Sequence, residues 1–120
     1  MREILFRGKK LYDGSWEYGF LSWSDTPRGR SYFVNNNIVE PETVGQFTGM
    51  TDKNGTKIFE RDIVVNKNIH GKKWIVEYRT DSEYVGFVLK EIGTNGISLF
   101  TSWNDIEVIG NIHDNKELLK

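Results

Sequence analysis

The sequence predicts an all-β fold, and three features of its composition support that prediction. Alanine, the strongest helix former, is absent from the 120 residues. Branched side chains that suit a pleated sheet are abundant instead, with 11 Ile, 9 Val and 8 Thr. The 12 Gly and 10 Asn lie between short apolar segments, where turns require them. We therefore expect a single domain, residues 1–120, of short strands joined by tight turns.

An N-terminal β-hairpin unit is predicted for residues 1–43. Short apolar segments indicate three strands, at residues 4–6, 16–23 and 32–34. Asp13–Gly14 and the segment 25–29 carry turn residues and are placed in the connections. The polar segment 35–43 contains Pro41, one of two prolines in the chain, and is interpreted as a loop that leads into the second region.

A small SH3-like barrel is predicted for residues 44–113. Alternation of apolar and polar side chains along residues 73–79 and 106–112 predicts strands with one apolar face. Residues 84–91 are apolar in both phases, which favours a strand covered on both faces. The predicted core comprises Ile4, Phe6, Phe20, Phe47, Ile58, Ile63, Val65, Trp74, Val76, Tyr78, Phe87, Leu99, Val108 and Ile112.

Turns and one helical segment complete the predicted elements. Asn54–Gly55 and Asn95–Gly96 are two-residue hairpin signals, because both central positions of a type I′ turn need positive φ. The C-terminal segment 114–120 is expected to form a short helical turn. Asp114 or Asn115 could cap it, since both side chains accept hydrogen bonds from the first amides of a helix.

The overall composition is that of a folded protein and excludes several kinds of chemistry. The chain is 38% apolar and 13% aromatic, which is typical of a folded protein, and its net charge of −1 argues against bulk attraction to polyanions. Without cysteine it can form no disulfide, thiolate metal site or cysteine nucleophile. The same absence fits a reducing compartment, so we expect a cytoplasmic protein. No apolar segment is long enough for a membrane span, and no membrane association is expected.

Motifs for catalysis and metal binding are weak. A calcium loop around Asp52–Gly55 would place Met50 and Arg61 at the first and last ligand positions, so a turn is favoured. His70 and His113 lack a second ligand at helical or hairpin spacing, although a hydrolase built around either remains a third alternative. Phosphate-binding loops and nucleophile elbows are absent from the sequence. We therefore expect no enzymatic activity, no catalytic residue, no metal and no cofactor.

Exposed aromatic and basic residues are the candidates for a functional surface. Small β-barrels bind single-stranded nucleic acid through basic grooves with stacking aromatic side chains. An exposed aromatic surface also suits self-association or a protein partner, and basic turn residues can serve solubility alone. Both functional interpretations rest on the same six residues, which are Trp23, Arg28, Arg30, Lys72, Lys73 and Trp103.

The central segment, residues 44–64 (VGQFTGMTDKNGTKIFERDIV), resembles the signature of the YopX family. The similarity extends to residues 1–8 at the start and 106–119 at the end. At Arg61 the sequence departs from the family, which usually has glycine before the Asp-Ile-Val strand. Either the turn loses its positive φ here, or an arginine occupies a strained conformation.

The resemblance implies a predominantly β protein with a barrel-like part, encoded by a phage or prophage, and able to form oligomers. It supplies no catalytic residue that could be transferred to this chain. We expect a non-enzymatic binding or assembly module in the cytoplasm of a bacterial host. It would act by self-association through exposed aromatic side chains and sheet edges, or by docking a host or phage protein. The alternative is a small β-barrel that binds single-stranded nucleic acid.

Overall fold

The structure is a computed structural model that describes residues 3–99 and 105–120. The all-β prediction is confirmed, since the helical elements with described bounds are two short 3-10 helices, Pro41–Thr43 and Lys116–Leu119. No helix among these residues has the length and apolarity needed to cross a membrane. The strands are β1 (Phe6–Lys9), β2 (Trp16–Gly19), β3 (Leu21–Thr26), β4 (Gly29–Val34), β5 (Asn37–Val39), β6 (Gly45–Thr51), β7 (Lys57–Phe59), β8 (Asp62–Asn66), β9 (Ile69–Thr80), β10 (Val85–Glu91), β11 (Ile97–Ser98) and β12 (Ile106–Asn111).

The chain divides into two compact units, Met1–Phe47 and Thr48–Lys120. In the first unit β1 pairs antiparallel with β2 on one side and with the first residues of β6 on the other. Strands β3, β4 and β5 form a separate antiparallel sheet in that order. Val34 and Val39 of this sheet are fully buried. Gly8 of β1 lies against Val39, where an added Cβ would approach to 3.0 Å.

The structure corrects two predictions for the first unit. Residues 16–23 form two strands and not one, because the strand is interrupted at Phe20. The Asn35 side chain binds the main chain at this interruption. Its Oδ1 accepts the Phe20 N–H at 3.2 Å and its Nδ2 donates to the Tyr18 carbonyl at 2.7 Å. The segment 35–43 was predicted to be a loop, but it contains regular secondary structure, namely β5 and a 3-10 helix. The break depends on a side chain that arrives from a distant part of the sequence.

The second unit is built on an antiparallel sheet with the order β11-β10-β9-β8-β12. Strands β8 to β11 follow one another as neighbours, and β12 returns to pair with β8 through a bulge between Val108 and Gly110. Strand β7 is the neighbour of β6 in another sheet. The buried cluster consists of Ile58, Val64, Trp74, Val76, Leu89 and Ile106. The single-domain interpretation stays a prediction.

Four predicted core residues are wrong, since Ile4, Phe20, Tyr78 and Leu99 are between 51% and 66% exposed. Ile4 precedes β1 and Leu99 follows β11, so neither lies within a strand. Phe20 lies at the break between β2 and β3. Tyr78 is on the same face as the buried Trp74, but towards the end of β9, where it makes an edge-to-face contact with Phe87.

Turn predictions were partly wrong. The connection between β10 and β11 spans residues 92–96, and Gly93 takes the positive φ of 93° instead of the Asn95–Gly96 pair. The turn at Asn54–Gly55 is confirmed, although only Gly55 has positive φ, at 81°. The C-terminal helical turn is present as a 3-10 helix, but no side chain caps it.

Capping fails because both candidate side chains bond elsewhere. The Asn115 Oδ1 accepts the Asn111 N–H at 3.1 Å, and Asp114 Oδ2 accepts a hydrogen bond from the Asn111 side chain at 3.2 Å. Both side chains that were predicted to cap the helix therefore form hydrogen bonds with Asn111 instead.

Arg61 adopts the left-handed conformation, with φ of 69°. Its N–H donates to the Val76 carbonyl at 2.7 Å, and its carbonyl accepts the Ile112 N–H at 3.1 Å. At the same turn Asp62 Oδ2 accepts the Phe59 N–H at 2.8 Å. The turn between β7 and β8 thus keeps its positive φ, and the surrounding strands hold an arginine in a conformation that favours glycine.

Candidate functional site

The β3–β4 hairpin of the first unit carries three of the six candidate residues. Residues Trp23 to Arg30 are all exposed and include the two-residue turn Pro27–Arg28. The Thr26 Oγ1 donates to the Gly29 carbonyl at 2.8 Å and accepts the Arg28 N–H at 3.2 Å, so the turn is braced by a local side chain. The distal half of the hairpin is therefore a defined turn that solvent reaches on both faces.

Trp23 is held by Arg30, which lies on the neighbouring strand β4 and is paired with Asp25 of β3. The Arg30 guanidinium carbon lies 3.7 Å from the Trp23 ring centroid. The same guanidinium donates from Nε to Asp25 Oδ1 at 2.9 Å, and this hydrogen bond is the main cause that raises the pKa of Arg30. A cation over a tryptophan face restricts both side chains. Trp23 remains 53% exposed, so this restricted ring still presents a large apolar surface.

Asp25 belongs to this site, although the sequence analysis did not select it. It is the cross-strand partner of Arg30, just as Trp23 is the partner of Tyr32. Opposite charges at directly opposed positions are a known cross-strand pairing. The signal was available in the sequence, because Asp25 and Arg30 stand symmetrically about the turn Pro27–Arg28 that closes the hairpin.

Among the residues that the structure describes, no strand pairs with the outer edge of β3, which is open for main-chain pairing. Strand β3 is the first in the order β3-β4-β5, so it has a strand partner on one side. The Phe20 carbonyl accepts the Asn35 N–H at 3.0 Å, which shows that position 20 faces β4. Main-chain groups alternate in direction along an antiparallel strand. Leu21, Trp23 and Asp25 therefore direct their N–H and C=O groups away from β4.

Other sheet edges among the described residues are shorter or covered. The far side of β5 is bonded by Leu11, whose N–H donates to the Ile38 carbonyl at 3.1 Å. The outer side of β12 receives the Lys53 N–H at the Ile106 carbonyl, also at 3.1 Å. Strand β11 has two residues. Compared with the edges of β5, β11 and β12, the six-residue strand β3 offers the longest open edge among the described residues.

The two predicted lysines lie apart from the hairpin in the chain, on β9 of the second unit. Lys72 is exposed and its Nζ lies 3.4 Å from the Glu91 carboxylate. Lys73 is half-buried and its Nζ donates to the Lys120 carbonyl at 3.3 Å. Both ammonium groups thus have acceptors within the protein. Trp103, the sixth candidate, lies outside the described residues.

Asp52 explains why the segment around Asn54–Gly55 is a turn. Its carboxylate accepts the N–H groups of Asn54, Thr56 and Val108, each at 2.9 Å. Burial raises the pKa of Asp52, but the hydrogen bonds from these amides outweigh it and hold the pKa below its ordinary value. Its oxygens are already used by the main chain, so Asp52 links the β6–β7 turn to β12.

The two histidines occupy unrelated positions. His70 is exposed on β9, in a shallow groove lined by neighbours such as Lys67 and Lys72. His113 is half-buried, and its main-chain N–H donates to the Asn111 Oδ1 at 2.9 Å. Within residues 3–99 and 105–120, no group of three or more His, Asp or Glu is arranged to hold a metal ion.

Comparison with known proteins supports the fold and identifies the family. A crystal structure of protein EF1440 from Enterococcus faecalis is similar over 100% of both chains, with a TM-score of 0.59 and 21% sequence identity. At that identity the similarity concerns the fold alone. No curated protein matched the sequence. The family model described as YopX protein matches residues 6–120, nearly the whole chain. This chain therefore belongs to the YopX family.

Proposed function

We propose that this protein is a non-enzymatic module that binds other proteins through the β3–β4 hairpin. Its first partner is another copy of the same chain. The observation that carries the proposal is an open six-residue edge strand bearing an exposed, restrained tryptophan. The resemblance to phage and prophage proteins supports a role in the cytoplasm of a bacterial host. A host or phage protein would dock on the same hairpin.

The physical support comes from two complementary properties of the hairpin. Unpaired main-chain groups along an edge strand are a template for another strand. Tryptophan is enriched among the residues that dominate protein interfaces, because it buries a large apolar area. The Arg30 stack lowers the entropy that Trp23 loses on binding, since the ring is already held in one orientation. Together these properties favour association with another protein surface.

Light scattering coupled to size-exclusion chromatography tests the proposal over micromolar to millimolar concentrations. We expect the mean mass to rise from 14.0 kDa towards twice that value. Trp23→Ala should weaken association about tenfold or more. Tyr12→Ala is the matched control, because Tyr12 is 74% exposed in the same unit but lies outside the hairpin. A monomer at every concentration, or equal weakening by both variants, would contradict the proposal.

Single-stranded nucleic acid is the second candidate, because Trp23, Arg28 and Arg30 lie on one hairpin. Against it, Arg30 is paired with Asp25. Titration of a fluorescent oligonucleotide decides between the two. Binding that uses these cations should weaken steeply with salt, and the double variant Arg28→Ala with Arg30→Ala should flatten that dependence. Absence of binding at low salt would exclude this candidate.

A further inference from the structure

We propose that two copies of this chain join their β3 strands antiparallel, in a register centred on Trp23, to form a continuous six-stranded sheet. This inference rests on the proposed function and specifies its partner and geometry. The starting point is the set of outward-facing main-chain groups at Leu21, Trp23 and Asp25, which alternate with residues that face β4. A twofold axis perpendicular to the sheet pairs two copies of one strand in opposite directions.

Hydrogen bonding selects one register. When Trp23 faces its symmetry mate, Leu21 of each copy faces Asp25 of the other, so all three outward residues of both strands are paired. A shift of two residues towards the turn places Asp25 opposite Trp23 and brings Leu21 opposite Pro27, which lies in the turn beyond the end of β3 and has no N–H to donate. A shift the other way pairs Leu21 with Trp23 and leaves Asp25 beyond the start of the second strand. The central register therefore forms the most bonds.

Charge and packing favour the same register. Centring the pair on Asp25 would oppose two carboxylates directly, which is destabilising. In the Trp23 register each Asp25 faces an apolar leucine and keeps its own partner, Arg30, at 2.9 Å. The two tryptophans then lie side by side on one face. Because Arg30 reaches Trp23 from β4, the open edge beside the ring stays available for the second copy.

The absence of native cysteine permits a direct test of the register. In the proposed sheet Ser22 of one copy lies opposite Ser24 of the other, at a position without hydrogen bonds between the pair. Such pairs have Cα atoms about 4.5 Å apart, within the range for a disulfide. Full-length Ser22→Cys and Ser24→Cys proteins, one labelled with heavy nitrogen, are mixed and mildly oxidised. Mass spectrometry then separates mixed from like dimers.

The mixed disulfide should be about tenfold more abundant than either like disulfide, against about twofold for random pairing, because only the mixed pair meets disulfide geometry. Thr80→Cys, at the exposed end of β9, serves as the control for random collision. Predominant like pairs would overturn the register. Crosslinking no faster than the Thr80 control would overturn the strand pairing itself.

The outcomes remain separable from those of the proposed function. If light scattering shows association that depends on Trp23 while crosslinking matches the Thr80 control, the hairpin binds by its aromatic face and the paired-edge inference is wrong. If the chain stays monomeric throughout, the self-association in the proposed function is wrong as well.

Discussion

Replacing Arg61 by glycine should stabilise the protein relative to replacing it by alanine. Arg61 has φ of 69°, so an L side chain there is strained, whereas glycine is not. Both variants lose the arginine side chain, so the difference between them isolates the backbone. The two main-chain hydrogen bonds of the position, to Val76 and from Ile112, stay available in either variant.

The magnitude follows from two opposing effects. Left-handed backbone costs an L residue roughly 1–2 kcal/mol. Glycine loses more conformational freedom on folding, which costs about 0.5–1 kcal/mol relative to alanine. The net expectation is that Arg61→Gly is about 0.5–1 kcal/mol more stable than Arg61→Ala. For a chain of this size that corresponds to roughly 2–5 °C in Tm.

Urea denaturation of the full chain measures the difference. At Thr80, an exposed strand position, the order should reverse, with Thr80→Ala about 0.5–1 kcal/mol more stable than Thr80→Gly. Equal slopes in urea are required for the comparison, because a changed slope signals an altered denatured state. If alanine at position 61 is as stable as glycine, the positive φ of that turn does not govern its stability and the reasoning fails.

Three further changes test other features. Asp52→Asn should lower the free energy of unfolding by about 2 kcal/mol, since three amides lose a charged acceptor. These amides lower the pKa of Asp52 in the folded protein. The stabilisation by the Asp52 carboxylate is therefore present above about pH 4 and is lost as the pH falls further. Gly19→Ala should cost about 1–3 kcal/mol, because a Cβ would collide with the Asn35 side chain. Ile58→Ala should cost about 2–5 kcal/mol, but Leu99→Ala less than about 0.5 kcal/mol.

Each of these changes has a control and a contrary outcome in the same urea assay. Asp81→Asn alters a similar but exposed carboxylate that also accepts two amides, and it should have the smaller effect. If Asp52→Asn leaves the acid dependence of stability unchanged, the link to β12 is not electrostatic. Gly14→Ala adds backbone strain without a collision, so an equal loss at Gly19 and Gly14 would contradict the steric argument. Equal losses for Ile58 and Leu99 would contradict the observed core.

Local patterns in the sequence were sufficient wherever neighbours along the chain determine the structure. Branched residues and the lack of alanine predicted strands, and alternation along residues 73–79 correctly placed Trp74 and Val76 on a buried face. Asp52 and Gly55 make their turn largely with amides of the same segment. In these cases the interacting groups are close in sequence, so spacing and residue type carry the information.

Tertiary structure decided the features that depend on distant partners. Phe20 looked like part of one strand, but Asn35 breaks that strand by bonding to it from 15 residues away. The same holds for the candidate site. Alternation can assign Trp23 to a face, but its exposure follows from the packing of other segments, since none of the described residues covers the distal half of the hairpin, where residues 23–30 are all exposed. Periodicity shows which side chains share a face, whereas only the packing of separated segments determines whether anything covers that face.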